Sequence, residues 1–232
     1  MFELLEFAGR VTVLVAVVIW FLEADDRAKE RHYRAWELIN AARGSTGDGG
    51  RRDALQDLNR DGVSLAGAPL ERANLPRVDL ENAELERADL EDAYLEEANL
   101  QSANLEFANL YSAYLGNANL QGADLGNANL RDAHLNETNL QGANLRGAVL
   151  QSAGVAANLK DAHLWGAYLQ GADLGHARGL TQQQLDVADG NAETVLPEGL
   201  TRPAHWSKTE ETAPQPDARR APPAAGKPKP RK

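Results

Sequence analysis

No cysteine occurs anywhere in the 232-residue chain, so disulfides, thiolate metal sites and thiol nucleophiles are excluded together. Aromatic residues make up only 6% of it, and any core must therefore be aliphatic. A formal net charge of -10 leaves the chain short of cations. That disfavours direct nucleic-acid binding, because duplex affinity comes largely from Lys and Arg neutralising phosphates. Enzyme signatures are missing as well: there is no phosphate-binding glycine loop, no nucleophile elbow around a serine and no helical histidine pair at metal spacing. His32, His134, His163, His176 and His205 are scattered. The expectation is a protein without catalytic residues, metal ligands or cofactors.

What is present is a period. Leu recurs at every fifth residue from Leu65 to Leu150, Val155 takes the next place, and the series resumes one residue early at Leu159, Leu164, Leu169 and Leu174. Two residues before each of these sites stands Ala, the exceptions being Val63, Val78 and Thr138. One residue before, Asn or Asp predominates, as in Ala98-Asn99-Leu100 and Ala123-Asp124-Leu125. On an α-helix a step of five turns the side chain by about 140°, and on a flat strand an odd step alternates faces, so either would expose half the leucines. A chain that turns a corner every five residues exposes none, because Ala and Leu, two apart in an extended piece, then point inward together. Four blocks close a square coil. Leu105, Leu110, Leu115 and Leu120 are then expected to fill the core from four successive faces, with Leu125 next to Leu105. The missing residue near Ala156 predicts a local irregularity within Gln151 to Asn158, accommodated at Gly154.

Units such as Ala103-Asn104-Leu105-Glu106-Phe107 resemble the pentapeptide-repeat family, whose pattern is Ala, Asp or Asn, Leu and two variable positions. The resemblance covers about half the chain and implies an all-β solenoid, a right-handed quadrilateral β-helix, over 61–180. It says little about function, because the family is defined by its core. Open ends of such a coil need covers. Residues 51–60 read as a helical N-terminal cap, and 181–207 as a C-terminal cap whose helix, Gln182 to Ala188, opens with a Thr181/Gln184 capping box. Residues 208–232 read as a disordered basic tail rich in Pro and Ala.

The N-terminal segment differs in kind. Val11 to Leu22 is apolar but for Thr12, with Val11, Leu14, Val18, Trp20 and Leu22 as its membrane-segment candidates. Extended back to Leu4 it would reach about 28 Å as a helix, close to the roughly 30 Å hydrocarbon core. Residues 1–23 therefore read as a transmembrane helix and 24–50 as a juxtamembrane helix and flexible linker. Arg27, Lys29, Arg31, Arg34 and Arg43 follow the run, which predicts a single-pass protein with its solenoid cytoplasmic; a soluble cytoplasmic protein is the alternative.

Two outward features are candidate partner-binding surfaces. Acidic residues crowd the early repeats, among them Glu81, Glu84, Glu86, Asp89, Glu91 and Asp92. At a coil length of twenty, Tyr94, Tyr114 and His134 share one column. The bland alternatives are a solvated acidic surface and a structural aromatic ladder. The expected function is a membrane-tethered scaffold for a protein partner of unknown identity, with oligomers permitted. The alternative is an acidic DNA mimic that binds a type II topoisomerase, as the resemblance allows for some family members.

Overall fold

A computed structural model of the protein describes residues 26–44, 47 and 49–208. Its repeating unit is a corner. The carbonyl of each central Leu accepts the amide of the Ala three residues on, as Leu105 O does from Ala108 N at 3.0 Å. The second of the two residues at the corner adopts a positive φ, at glycines such as Gly67 and Gly122 but also at fifteen other residues, Arg72 and Phe107 included. Left-handed backbone costs an L-residue roughly 1–2 kcal/mol. The ladders on both sides impose it here: Leu105 N bonds Asp124 O (2.7 Å), Phe107 N bonds Gly126 O (2.9 Å) and Asp124 N bonds Ala103 O (2.9 Å).

Between corners, one residue per block forms parallel bridges to its neighbours one coil away, and these bridges define four faces. One carries Asp89, Asn109 and Asn129; the next Tyr94, Tyr114 and His134; the third Asp79, Asn99, Asn119 and Asn139; the fourth Glu84, Asn104, Asp124 and Asn144. The solenoid is a right-handed quadrilateral β-helix. Leu105, Leu110, Leu115 and Leu120 lie on four successive faces, Leu125 sits one coil on from Leu105, and all five are fully buried. Thr138 occupies an Ala site without penalty, since its buried hydroxyl donates to Leu115 O at 2.8 Å.

The preference for Asn or Asp before each Leu has two causes. Its side-chain oxygen accepts the amide two residues ahead, as Asn99 does from Gln101 N at 3.3 Å, which tethers the corner. Its amide group donates to the same position one coil back: Asn99 to Asp79 (2.9 Å), Asn139 to Asn119 (3.2 Å) and Asn158 to Asn139 (3.2 Å). The last pair is 19 residues apart rather than 20 because one corner residue is lost. Ala156 alone forms the corner where other blocks use two, and Ala157 takes the buried small-residue site. Gly154, expected to absorb the irregularity, is instead a regular bridging residue between His134 and Asp173.

The two ends are closed by helices. Residues 26–41 form α1, which buries Ala35 and Ile39. Helix α2, Arg51–Arg60, buries Ala54, Leu55 and Leu58 in the same core as the leucine columns. Its Gln56 side chain accepts from Asp79 N and its Asn59 donates to Glu81 O, both at 3.0 Å, in place of a preceding coil. Pro69, a bridging residue of the first coil, has no amide to leave unpaired at that edge. At the other end α3 spans only Gln182–Leu185, capped by the reciprocal Thr181/Gln184 bonds. It stops short of the expected Ala188 because the chain is drawn back into the ladder there: Val187 O accepts Gly166 N at 2.7 Å and Asp189 bridges Tyr168. Trp206, fully buried, donates from Nε1 to Ala188 O at 2.7 Å, and a Cβ at Gly190 would collide with its ring.

The expectation of a single-pass membrane location with a cytoplasmic solenoid is corrected: among the described residues no helix is long and apolar enough to cross a membrane. Helix α1 carries charges along its length and α2 spans only about 15 Å at 1.5 Å per residue. The segment 4–22 on which that expectation rested, with Val11, Leu14, Val18, Trp20 and Leu22, lies outside the described residues, as does 209–232 of the basic tail.

Candidate functional site

The aromatic column is a stack. Tyr94 and Tyr114 lie 4.9 Å apart with rings 2° from parallel, and His134 follows at 4.8 Å and 15°. These separations match the 4.7–4.9 Å between paired strands, so the ladder sets them. The rings stack along the rod, and what they turn to solvent is their edges. Phe107 lies not on this face but on the corner between the Asn104 and Asn109 faces, where Arg87 covers its ring at 5.1 Å.

The acidic run is dispersed by the same geometry. Asp79 to Glu97 spans nearly one full coil, so its members encircle the rod. Glu81 is on the corner between the Asn119 and Asn104 faces, Glu84 on the Asn104 face, Glu86 on the next corner and Asp89 on the Asn109 face. Of the six acidic candidates, Glu91 and Asp92 border the tyrosine column; the other four do not. Many of these carboxylates are engaged. Asn104 donates to Glu84 (3.0 Å), Asn109 to both Asp89 (3.0 Å) and Glu91 (3.1 Å), and Arg87 pairs with Glu86. Arg72 stands 3.7 Å from Asp92, and Arg77 grips Glu97 through two bonds of 2.8 and 2.9 Å, holding that carboxyl below its ordinary range. Burial pushes Asp89 up, helped by the neighbouring Glu71, whereas the Arg43 guanidinium holds Glu71 down.

Two further features carried no signal in the reading of the sequence. Arg146 lies 5.0 Å from the ring of Trp165, which is 63% exposed, and Arg87 covers Phe107 in the same way. Spacings of 20 and 19 residues were the available clue. Among the described residues no group of three His, Asp or Glu could hold a metal ion. A cleft of ≈ 530 Å³ opens widely to solvent between α2 and the first coil, lined by Asn59, Arg60, Val63, Glu81 and Glu84.

Comparison with known proteins gives a pattern described as pentapeptide repeats, in eight copies, over residues 61–92, 79–117, 88–127, 113–151 and 156–178. Trypsin-treated QnrB1, a plasmid-mediated fluoroquinolone resistance protein, matches with a TM-score of 0.50 at 22% identity, covering 61% of this chain and 75% of that one. HetL from the cyanobacterium Nostoc sp. strain PCC 7120, a pentapeptide repeat protein involved in heterocyst differentiation regulation, matches at 29% identity and a TM-score of 0.37, covering 60% and 81%. These likenesses concern the fold. Among curated proteins no sequence relative matches.

Proposed function

The chain belongs to the pentapeptide-repeat family, and from that premise we propose that it is a protein-binding rod with no catalytic activity of its own. The observation that carries this reading is the Tyr94–Tyr114–His134 stack, whose first ring, Tyr94, is bordered on one corner by Glu91 and Asp92 and on the other by Glu96 and Glu97. Its rings are held in place before any partner arrives, so docking costs little side-chain entropy. Aromatic edges between carboxylates suit a protein that presents basic side chains. In this reading the amide ladders on the other three faces belong to the frame. The test is affinity capture with the full chain and with Tyr94→Ala/Tyr114→Ala. A captured protein should be lost with the variant while circular dichroism stays unchanged; capture that is insensitive to both substitutions counts against this face.

One observation favours a second reading, mimicry of DNA toward a type II topoisomerase. Residues 61–100 hold eleven acidic side chains against three basic ones. The encircling placement of those acids argues for the first reading, since a duplex-binding groove meets one side of a rod. Inhibition of DNA supercoiling by a purified type II topoisomerase, relieved when Glu81, Glu84 and Glu86 become Gln, would favour the mimic.

A further inference from the structure

One edge of the rod differs from the other three. Amide-to-carbonyl bonds stack its corners from Gly67 N on Glu86 O (2.8 Å) to Gly166 N on Val187 O (2.7 Å). It carries Phe107, Trp165 and Val187, three of the five large apolar side chains that stand exposed between residues 61 and 206. Both rings are pinned by an arginine one coil back. Its charges cancel, Glu86 and Glu106 against Arg87 and Arg146.

We infer that this edge pairs with the same edge of a second copy, the two rods antiparallel about a two-fold axis at Gly126. A two-fold axis brings the corner a given number of coils before Gly126 against the corner the same number after it in the other copy. One coil out, Glu106 then faces Arg146 of the second copy, and this ion pair occurs twice. On the same corners Phe107 faces Gly147, where a Cβ would stand 2.6 Å from Asn127 Oδ1. With no side chain at Gly147, a gap stands opposite the phenyl ring. Two coils out Arg87 faces Gly166, and three out Ala66 faces Val187. At the axis two Gly126 meet without side chains, beside Asn127 against its own copy. A parallel arrangement would set Glu106 on Glu106 and Arg146 on Arg146, which repel.

The contact runs for six coil spacings, about 29 Å at 4.7–4.9 Å each. Two ridges touch along a narrow strip, short of the roughly 800 Å² per partner of a standard complex. The dimer therefore forms over a roughly micromolar range.

Sedimentation equilibrium of the full chain across that range should show reversible dimerisation. Arg146→Glu should weaken it roughly tenfold or more, and the swap Glu106→Arg/Arg146→Glu should restore it. Because the chain has no cysteine, Asn127→Cys should cross-link to its own copy under mild oxidation far faster than Gln121→Cys on another edge. A monomer at every concentration, a charge swap that fails to restore the dimer, or equal cross-linking at both positions would overturn the inference.

Discussion

The two ends of the solenoid solve one problem with different chemistry. Within each coil the bridging amide and carbonyl point back and the Ala carbonyl and Leu amide point forward, as in Asp124 N to Ala103 O and Leu105 N to Asp124 O, so each end leaves both donors and acceptors to be satisfied. Gln56 Oε1 supplies an acceptor to Asp79 N; Gln184 Nε2 donates to Leu159 O (2.8 Å) and Ala162 O (2.9 Å), and Thr194 Oγ1 donates to Leu169 O (2.8 Å). Beyond these bonds the ends diverge. Helix α1 and the turn after it add to the buried Ala35 and Ile39 two surface contacts, a hydrogen bond between His32 and Asp61 at 2.7 Å and an ion pair between Arg43 and Glu71 at 3.3 Å. The C-terminal end is fastened by a buried indole and by Arg202 forked onto the carbonyls of Asn191 (3.1 Å), Ala192 (3.1 Å) and Thr194 (3.0 Å). The lesson is that both ends are packed, but the N-terminal attachment should answer in addition to pH and salt.

The severest test of that contrast is Trp206→Ala. Loss of a fully buried indole should cost about 3–5 kcal/mol, read as lost hydrogen-exchange protection at Asp189 and Val195 with α2 unaffected. Equal loss at both ends would abolish the distinction. Next comes the exchange of one glutamine at each end. Gln184→Ala leaves the part-buried Ala162 O without its donor, Leu159 O keeping the Ala162 amide at 3.1 Å, and should cost about 1–3 kcal/mol, against about 0.5–1.5 kcal/mol for Gln56→Ala, measured by thermal unfolding of each variant.

Acidification sharpens the comparison further. His32 holds the Asp61 carboxyl below its ordinary range, and Arg43 does so for Glu71. A lowered carboxyl contributes stability that is present above its unfolded value, about 4, and lost as pH falls through the lowered folded value. Asp89, raised by burial, has the opposite sign: its contribution is present below about 4 and lost as pH rises through its folded value. Amides of α1 should therefore lose protection below about pH 4 while those of α3 do not. The smallest effect is expected for Arg43→Ala, an exposed pair that solvent largely screens. Its influence on α1 exchange should vanish in roughly 1 M salt.

The leucine and alanine columns were legible because each depends on five consecutive residues. The capping box at Thr181 was legible for the same reason, although α3 ends at Leu185, where the ladder claims Val187 and Asp189. Other features were not. Nothing in Arg72, Glu97 or Phe107 announces a left-handed corner, because the backbone there obeys the ladders rather than the side chain. The acidic run reads as one surface because its members adjoin in sequence, and a square coil separates them in space.

What the sequence by itself determined is the inside of this protein: a five-residue period admits one way to hide every Leu, and four blocks must close. The outside was decided only by the tertiary structure. Neighbours on a face or an edge come from positions 20 apart, and 19 apart once Ala156 forms its corner alone. Tyr94 meets Tyr114, and Arg146 meets Trp165, through coil closure rather than through any local preference.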